Sequence, residues 1–185
     1  MNYAACCLRP LREDDRDRVL SWRNQDRIRA NMYTDHVIHR DEHDRWFGRS
    51  LTDGTAAYRI FEHREQPLGF VSFTGIDRVH GRSTWAFYLG EADAPRGSGA
   101  AMELLALDEA FGSLCIRKLC CEVFAFNTGV VRLHERFGFA REGLFRSHYF
   151  KNGELQDIVC MARFAEGWPA DRAVLMAAVF QEQTA

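Results

Sequence analysis

The sequence lacks an apolar run of the roughly 20 residues that a membrane-spanning helix needs; its late apolar stretch, 173–180, is far shorter. The N-terminus also lacks a basic segment followed by an apolar one, which is the pattern of a secretory signal. Proline is scarce, with four residues in 185, and no Pro-, Gly- or Ser-rich linker divides the chain. We therefore expect one domain over residues 1–185, in the cytoplasm and without a membrane partner.

No pair of cysteines has the CxxC spacing of zinc or thioredoxin-type sites. Most of the cysteines lie in apolar, strand-like surroundings, where the side chain usually acts as a small buried hydrophobe. The sequence therefore predicts reduced thiols and no metal. The six cysteines are Cys6, Cys7, Cys115, Cys120, Cys121 and Cys160.

An excess of positive charge is also missing. Lysine and arginine total 24 against 26 aspartate and glutamate, which gives a net charge of -2. Because nucleic-acid binding relies on a surplus of basic residues, this balance argues against nucleic acid as the main partner.

The order of the predicted elements indicates the fold class. Hairpin-like strands come first, and a strand over 83–89, a loop, a helix from about Ala100 and a strand over 118–126 follow. An Asn-Gly turn at 151–154 then predicts a late hairpin. We expect an α/β (α+β) fold in which helices flank a mixed, mostly antiparallel sheet.

A glycine-rich loop separates the 83–89 strand from the helix that follows it. Such a loop at a helix N-terminus suits a phosphate group, since the first backbone N–H groups lack acceptors there. The alternative is that Gly97 and Gly99 merely allow a tight strand-to-helix turn. The loop does not match the Walker or the dinucleotide fingerprint.

Two segments resemble the GNAT N-acetyltransferases. Arg96-Gly97-x-Gly99-x-Ala101 is similar to their pyrophosphate loop, and 127–139, from Asn127 to the final Gly-Phe, is similar to their second coenzyme segment. The resemblance implies the GNAT fold and acetyl-CoA as cosubstrate. The residues that it places on the coenzyme are Phe87, Tyr88 and Leu89 through their backbone, Arg96, Gly97, Ser98, Gly99, Ala100, Ala101 and Asn127.

The resemblance further implies direct attack of an amine on the thioester. His134 stands where the family commonly has a tyrosine that meets the leaving thiolate, and imidazolium can donate that proton. The alternative is a surface histidine beside Glu135. Asn127 would bind the pantetheine arm or a water. The alternative is that it caps the helix that it precedes, and the two roles are compatible.

A further set of motifs resembles the PseH branch of the GNAT proteins, which acetylates the 4-amino group of UDP-4-amino-4,6-dideoxy-N-acetyl-β-L-altrosamine on the way to pseudaminic acid. By this resemblance Arg23 and His43 face the nucleotide, and Glu122 contacts the sugar or relays the amine proton. Met32, Tyr33 and Trp46 or Phe47 would form an apolar wall for the deoxysugar. The carrying segments are Arg23-Asn24, Met32-Tyr33-Thr34, Glu42-His43-x-x-Trp46-Phe47, 85–90 and 121–123.

Several alternatives remain open at this point. One is a protein N-terminal acetyltransferase like those that modify ribosomal proteins, which shares the strand-loop-helix and the late hairpin. Another is a coenzyme-binding module without catalysis, which would explain the missing tyrosine at 134. For Glu122 the alternative is a carboxylate at a sheet edge paired with a cation. For His43 it is a structural histidine. The expected partners are acetyl-CoA and a UDP-amino sugar, and a homodimer is compatible with the sequence.

Overall fold

The computed structural model describes residues 1–180. Over this range seven strands form one sheet in the order β1-β2-β3-β4-β5-β7-β6. The strands are β1 (Cys6–Pro10), β2 (Ala57–His63), β3 (Gln66–Asp77), β4 (Arg82–Leu89), β5 (Lys118–Phe124), β6 (Ala140–Lys151) and β7 (Glu154–Phe164). The helices are α1 (Arg16–Arg23), α2 (Asp26–Arg29), α3 (Arg40–Ser50), α4 (Ser98–Asp108), α5 (Thr128–Arg136) and α6 (Trp168–Phe180).

Neighbouring strands are antiparallel except for β4 and β5, which run parallel. Because α4 follows β4 and returns the chain to the same end of the sheet, β5 takes up the parallel direction. The predicted mixed, mostly antiparallel sheet with flanking helices is therefore confirmed.

Alternation along the strands divides the core between the two faces of the sheet. On one face, Phe73 and Trp85 pack with Met102 of α4 in the larger apolar cluster. On the other face, Phe70 packs with Trp22 of α1 and Phe47 of α3 in a smaller cluster. The central strands β3 and β4 are thus covered on both sides.

The ends of several elements differ from the predictions. The late hairpin turns at Asn152 and Gly153 as expected, and both have positive φ (55° and 82°). However, β6 begins at Ala140 rather than near Ser147. Its first four residues, 140–143, are small or charged and exposed, so the sequence has no apolar alternation there to indicate a strand. A π-helical turn over 109–113 follows α4.

Candidate active site

A gap opens in the sheet between β4 and β5. The two strands pair through three residues of β4, Arg82, Ser83 and Thr84. Beyond Thr84, within residues 1–180, the side of β4 that faces β5 has no strand partner, so backbone groups of 85–88 are available there. Since buried backbone groups require partners, this edge suits an extended ligand that lies alongside β4 as a strand would.

The N-terminus of α4 lies in the loop that leaves β4. Gly97 precedes the helix with φ of 92°, a left-handed conformation that favours glycine. Within residues 1–180 the N–H groups of Gly99 and Ala100 have no hydrogen-bond acceptor, and no side chain caps the helix. Arg96 is exposed beside them. These groups can bind an anionic phosphate.

The other loop residues are occupied within the protein. The Ser98 hydroxyl donates to the carbonyl of Pro95 at 2.7 Å. The Ala101 side chain has no exposed surface, and its N–H donates to the Gly97 carbonyl at 2.9 Å. Of the predicted loop residues, Arg96, Gly97, Gly99 and Ala100 therefore retain groups that a ligand can reach.

Asn127 directly precedes α5, but its side chain makes no capping hydrogen bond. The alternative in which this amide caps the helix is therefore wrong. Within the described range, the amide makes no other hydrogen bond, so it is free to bind a ligand at this end of the gap.

His134 is buried, with 2% of its surface exposed, so the alternative of a surface histidine is wrong. Its Nδ1 lies 2.8 Å from Oε1 of Glu103, which is fully buried in α4. Burial raises the pKa of Glu103 above its usual range. The ring of His134 contacts the rings of Trp85, Phe87 and Phe139.

Sequence reasoning missed Glu103. The spacing of apolar residues in α4 predicted one buried stripe, whereas the helix is buried on nearly every side between Ala101 and Leu107. The available signal was a lone carboxylate in an otherwise apolar helical segment, where a charge requires a partner.

A cavity of about 390 Å³ lies on the opposite face of β4. Ala86 and Tyr88 line it, whereas Trp85 and Phe87 contact His134 on the other side, as strand alternation requires. The cavity therefore reaches the part of β4 where the gap opens. Its full lining is Val19, Arg23, Met32, Thr34, Ile38, Glu42, His43, Arg45, Trp46, Arg49, Phe70, Ser72, Ala86 and Tyr88.

Arg23 and His43 both line this cavity. Nη2 of Arg23 donates to the carbonyl of Thr34 at 3.1 Å, whereas Nη1 is buried without a partner in the described residues. Burial lowers the pKa of Arg23. Nε2 of His43 lies 2.8 Å from the carbonyl of Arg16, and burial lowers the pKa of this histidine, so the ring is neutral and held in place.

Of the predicted apolar wall, Met32 and Trp46 line the cavity. Phe47 has no exposed surface and packs beneath Trp46 in the core, so of the two alternatives the position belongs to Trp46. Tyr33 lies outside the cavity lining, and its hydroxyl donates to Oε2 of Glu122 on β5 at 2.5 Å. The predicted cation partner of Glu122 is thus replaced by a phenol.

Sequence reasoning also missed two cationic residues. Arg45 and Arg49 are exposed along α3 and line the cavity with Arg23. None of these three arginines forms a salt bridge within residues 1–180. Glu42, the carboxylate of the lining, lies 3.0 Å from Nε2 of His36. The cavity is therefore positively charged overall.

No helix within residues 1–180 has the length and hydrophobicity that a bilayer crossing requires. No group of three or more His, Cys, Asp or Glu side chains in this range has an arrangement that could hold a metal ion.

Comparison with known proteins identifies relatives over most of the chain. An uncharacterized prophage-derived N-acetyltransferase of Bacillus subtilis, YokL, is 30% identical over 123 residues, which cover 65% of this chain and 68% of the relative. Spermidine N(1)-acetyltransferase of Escherichia coli K12 is 22% identical over 164 residues, or 89% of this chain and 88% of that protein.

The fold also matches that of solved structures. Spermidine N-acetyltransferase of Vibrio cholerae, in complex with CoA and spermine, has a TM-score of 0.84 at 21% identity and covers 90% of this chain and 99% of its own. The sequence profile of the acetyltransferase (GNAT) domain matches residues 6–140. Because this match spans well over half of the chain, the protein belongs to the GNAT acetyltransferase family and is an N-acetyltransferase.

Proposed function

We propose that the protein transfers the acetyl group of acetyl-CoA to the 4-amino group of a UDP-linked amino-dideoxy sugar, as in the pseudaminic acid pathway. The observation that carries the proposal is the charge of the cavity. Three arginines that form no salt bridge within residues 1–180 line it, against one glutamate that is already beside a histidine. An acceptor that bears a diphosphate complements this charge.

The buried Nη1 of Arg23 strengthens the argument. A guanidinium N–H without an acceptor costs free energy, so a ligand oxygen at this position would supply the missing hydrogen bond. Met32 and Trp46 offer an apolar surface to a deoxysugar methyl group on the same cavity wall.

The names of two relatives favour a different acceptor, spermidine. A polyamine is a multiple cation, and the three arginines would repel it. This electrostatic conflict is the reason for preferring an anionic acceptor. A ribosomal N-terminal peptide is a third candidate from the sequence, for which a more extended groove is expected.

The geometry supports a direct attack. An amine in the cavity would meet the thioester at the gap beside Ala86 and Tyr88. Glu122, beyond the gap on β5, would accept the amine proton through a water. The amine nitrogen then bonds to the carbonyl carbon, the C–S bond breaks, and His134 protonates the departing sulfur from the other face of β4.

Coenzyme binding is assigned to the groups that remain free. The N–H groups of Gly99 and Ala100, with Arg96, would bind the pyrophosphate, and Asn127 would bind the pantetheine arm. The edge of β4 at 87–89 would pair with the same arm. The Leu89 carbonyl at this edge already accepts a hydrogen bond within the protein, from Arg27 at 2.9 Å.

The test compares three amines with the same enzyme. Purified protein and acetyl-CoA are mixed with the UDP-4-amino-4,6-dideoxy sugar, with spermidine or with a ribosomal N-terminal peptide, and release of the CoA thiol is followed. We expect rapid turnover of the sugar. Faster turnover of spermidine or of the peptide would overturn the proposed acceptor and leave the acetyltransferase assignment in place.

A pair of variants tests the charge argument. Arg23→Gln should raise the KM for the sugar by about 10–100-fold, the value of a charge-assisted hydrogen bond, with little change in the KM for acetyl-CoA. Arg78→Gln removes the same charge from an exposed residue on a different depression of the surface and serves as the control. Equal effects of the two changes would contradict a specific role for Arg23.

A homodimer is retained as part of the proposal. The edge strand β6 is exposed along nearly its whole length, and another structure of the Vibrio cholerae enzyme is described as dodecameric. Sedimentation or light scattering of the purified protein would determine its state, and a monomer at all concentrations would refute self-association.

A further inference from the structure

The buried pair Glu103 and His134 joins two helices on the face of β4 opposite the cavity. Oε1 of Glu103 lies 2.8 Å from Nδ1 of His134, and both side chains are almost completely inaccessible to solvent. Oε2 of Glu103 has no hydrogen-bond partner in the described residues. The carboxylate thus has one polar contact, the histidine.

A carboxylate in this position is costly for the fold. Its neighbours Met102 and Leu104 are fully buried in the larger core cluster, where an apolar side chain would avoid the desolvation of a carboxyl group. Trp85, Phe87 and Phe139 enclose the histidine with aromatic rings. The placement is therefore explained by what the carboxyl group does to His134 rather than by packing.

The number of protons that the pair holds follows from its burial. Burial disfavours a net charge, so the favoured state of the pair is neutral overall. A neutral pair holds two protons: one is shared between Oε1 and Nδ1, and the other is on Nε2. This is true whether the shared proton lies nearer the carboxyl group or the imidazole. In either case Nε2 carries a hydrogen that it can donate.

We propose that Glu103 is a positioning residue that holds His134 with a proton on Nε2, so that this nitrogen is the donor to the sulfur of the departing CoA thiolate. The proposal rests on the direct attack described above. In this step the C–S bond of the tetrahedral intermediate breaks, an S–H bond forms, and the Nε2–H bond breaks. The pair is left with one negative charge in a buried site, and it regains a proton from solvent before the next cycle.

Other ionisable groups act on the pair from three elements. Arg136 of α5 and Arg163 of β7 favour the ionised form of Glu103. Cys121 of β5 lies close enough to interact with Glu103, and burial raises the pKa of its thiol, which remains neutral. The arginines therefore bias the shared proton towards Nδ1, and neither removes the proton from Nε2.

The kinetic test uses two single variants, their combination and a control. His134→Phe keeps an aromatic ring and should lower kcat by about 10²-fold or more, as loss of a general acid does. Glu103→Gln should lower kcat by about tenfold or more with the KM for acetyl-CoA unchanged. Because the two residues act as a unit, adding Glu103→Gln to His134→Phe should have no further effect on kcat.

The pH profile distinguishes positioning from packing. The pH dependence of kcat should differ between the wild type and Glu103→Gln, because the variant lacks the carboxyl group that shares a proton with Nδ1. Glu135 lies on the exposed side of α5, the helix that carries His134, and pairs with Arg141 at 2.8 Å. The control variant Glu135→Gln should therefore leave the profile unchanged. A Glu103→Gln profile that superimposes on that of the wild type would overturn the proposal.

A measurement on the free enzyme separates this inference from the proposed function. The ¹⁵N chemical shifts of the His134 ring report which nitrogen carries a proton. We expect Nε2 to be protonated at neutral pH in the wild type, whichever amine the enzyme acetylates. An unprotonated Nε2 would overturn the role of Glu103. The expected shifts together with failure to acetylate the UDP sugar would instead refute the proposed acceptor alone.

Discussion

The hydroxyl of Tyr33 donates to Oε2 of Glu122 at 2.5 Å and so joins the loop after α2 to β5. Two side chains of β6 contact the same loop. Tyr149 donates to the Tyr33 carbonyl at 2.6 Å, and Lys151 donates to the Met32 carbonyl at 2.9 Å. One wall of the cavity is therefore fixed by the strands on the far side of the sheet gap. Glu122 is oriented through this contact.

Tyr33→Phe should raise the KM for the amine about fivefold, the value of one hydrogen bond, and leave the KM for acetyl-CoA unchanged. Burial, and then Glu122, raise the pKa of Tyr33, so its phenol stays protonated at neutral pH. The ratio of the variant's KM for the amine to that of the wild type should therefore not vary with pH near neutrality. Tyr149→Phe keeps the Tyr33 contact to Glu122. Equal effects of both changes would mean that loop anchoring, rather than Glu122, is responsible.

Gly99→Ala should weaken acetyl-CoA binding while stabilising the protein. Gly99 lies in the first turn of α4, and an added Cβ would meet the nearest protein atom at an ordinary 4.0 Å. Alanine should therefore raise the free energy of unfolding by about 0.5–1 kcal/mol, whereas the methyl group would obstruct a phosphate at the N–H groups. Thermal melting and the KM for acetyl-CoA measure the two effects.

Gly97→Ala is the matched variant in the same loop. Its φ of 92° is unfavourable for any side chain, so this change should lower the free energy of unfolding by about 1 kcal/mol. If both glycine variants weakened acetyl-CoA binding and also lowered the free energy of unfolding, the separate roles of the two positions would be refuted.

Gly90→Ala should be strongly destabilising. A Cβ at Gly90 would lie 2.0 Å from Cδ2 of Trp22, a buried residue whose indole also donates to Glu91 at 2.8 Å. Relieving this overlap should cost about 1–3 kcal/mol. Gly48→Ala, in α3 with open space around it, should instead stabilise by about 0.5–1 kcal/mol. A denaturation curve for Gly90→Ala that matches the wild type would contradict the close contact.

Asp15 should account for part of the acid sensitivity of the protein. Burial alone would raise its pKa, but the bidentate contact from Arg9 at 2.6 and 2.7 Å and the N–H of Arg12 outweigh burial, and the net pKa is lowered. The stabilisation is therefore present above the unfolded value of about 3.9 and is lost as the pH falls through the lower folded value.

Asp15→Asn should lower the free energy of unfolding at pH 7 by about 1.5–3 kcal/mol and flatten its dependence on pH below about 4. Urea denaturation as a function of pH measures both. Asp14→Asn, at the exposed neighbouring position, is the control. An unchanged slope at low pH in Asp15→Asn would show that other carboxylates carry the acid transition.

Local features were predictable from the sequence because they depend on few neighbouring residues. The turn at Asn152 and Gly153 follows from the tolerance of both residue types for positive φ, and the loop at Gly97 follows from a strand, two glycines and an apolar helix in succession. Both are realised with the expected backbone geometry.

Contacts between distant segments could not be predicted in the same way. His134 and Glu103 meet because α4 and α5 pack on the same face of the sheet, and no local pattern at 134 distinguishes a buried histidine from a surface one. Likewise, Arg45 and Arg49 look like a solvated helix face in the sequence. Their role in the charge of the cavity follows from the position of α3 beside the face of the sheet that carries Phe70 and Tyr88.

The short contact between β4 and β5 also affects how the protein resists unfolding. Three residue pairs join the two parts of the sheet directly, so a molecule that bound in the gap would act as a substitute strand and complete the hydrogen bonding. At a concentration 100 times its dissociation constant, such a molecule adds about 2.7 kcal/mol to the free energy of unfolding. The small unfolded fraction of the enzyme would thus fall as the supply of its acetyl donor rises, and amide exchange in 85–89 would slow.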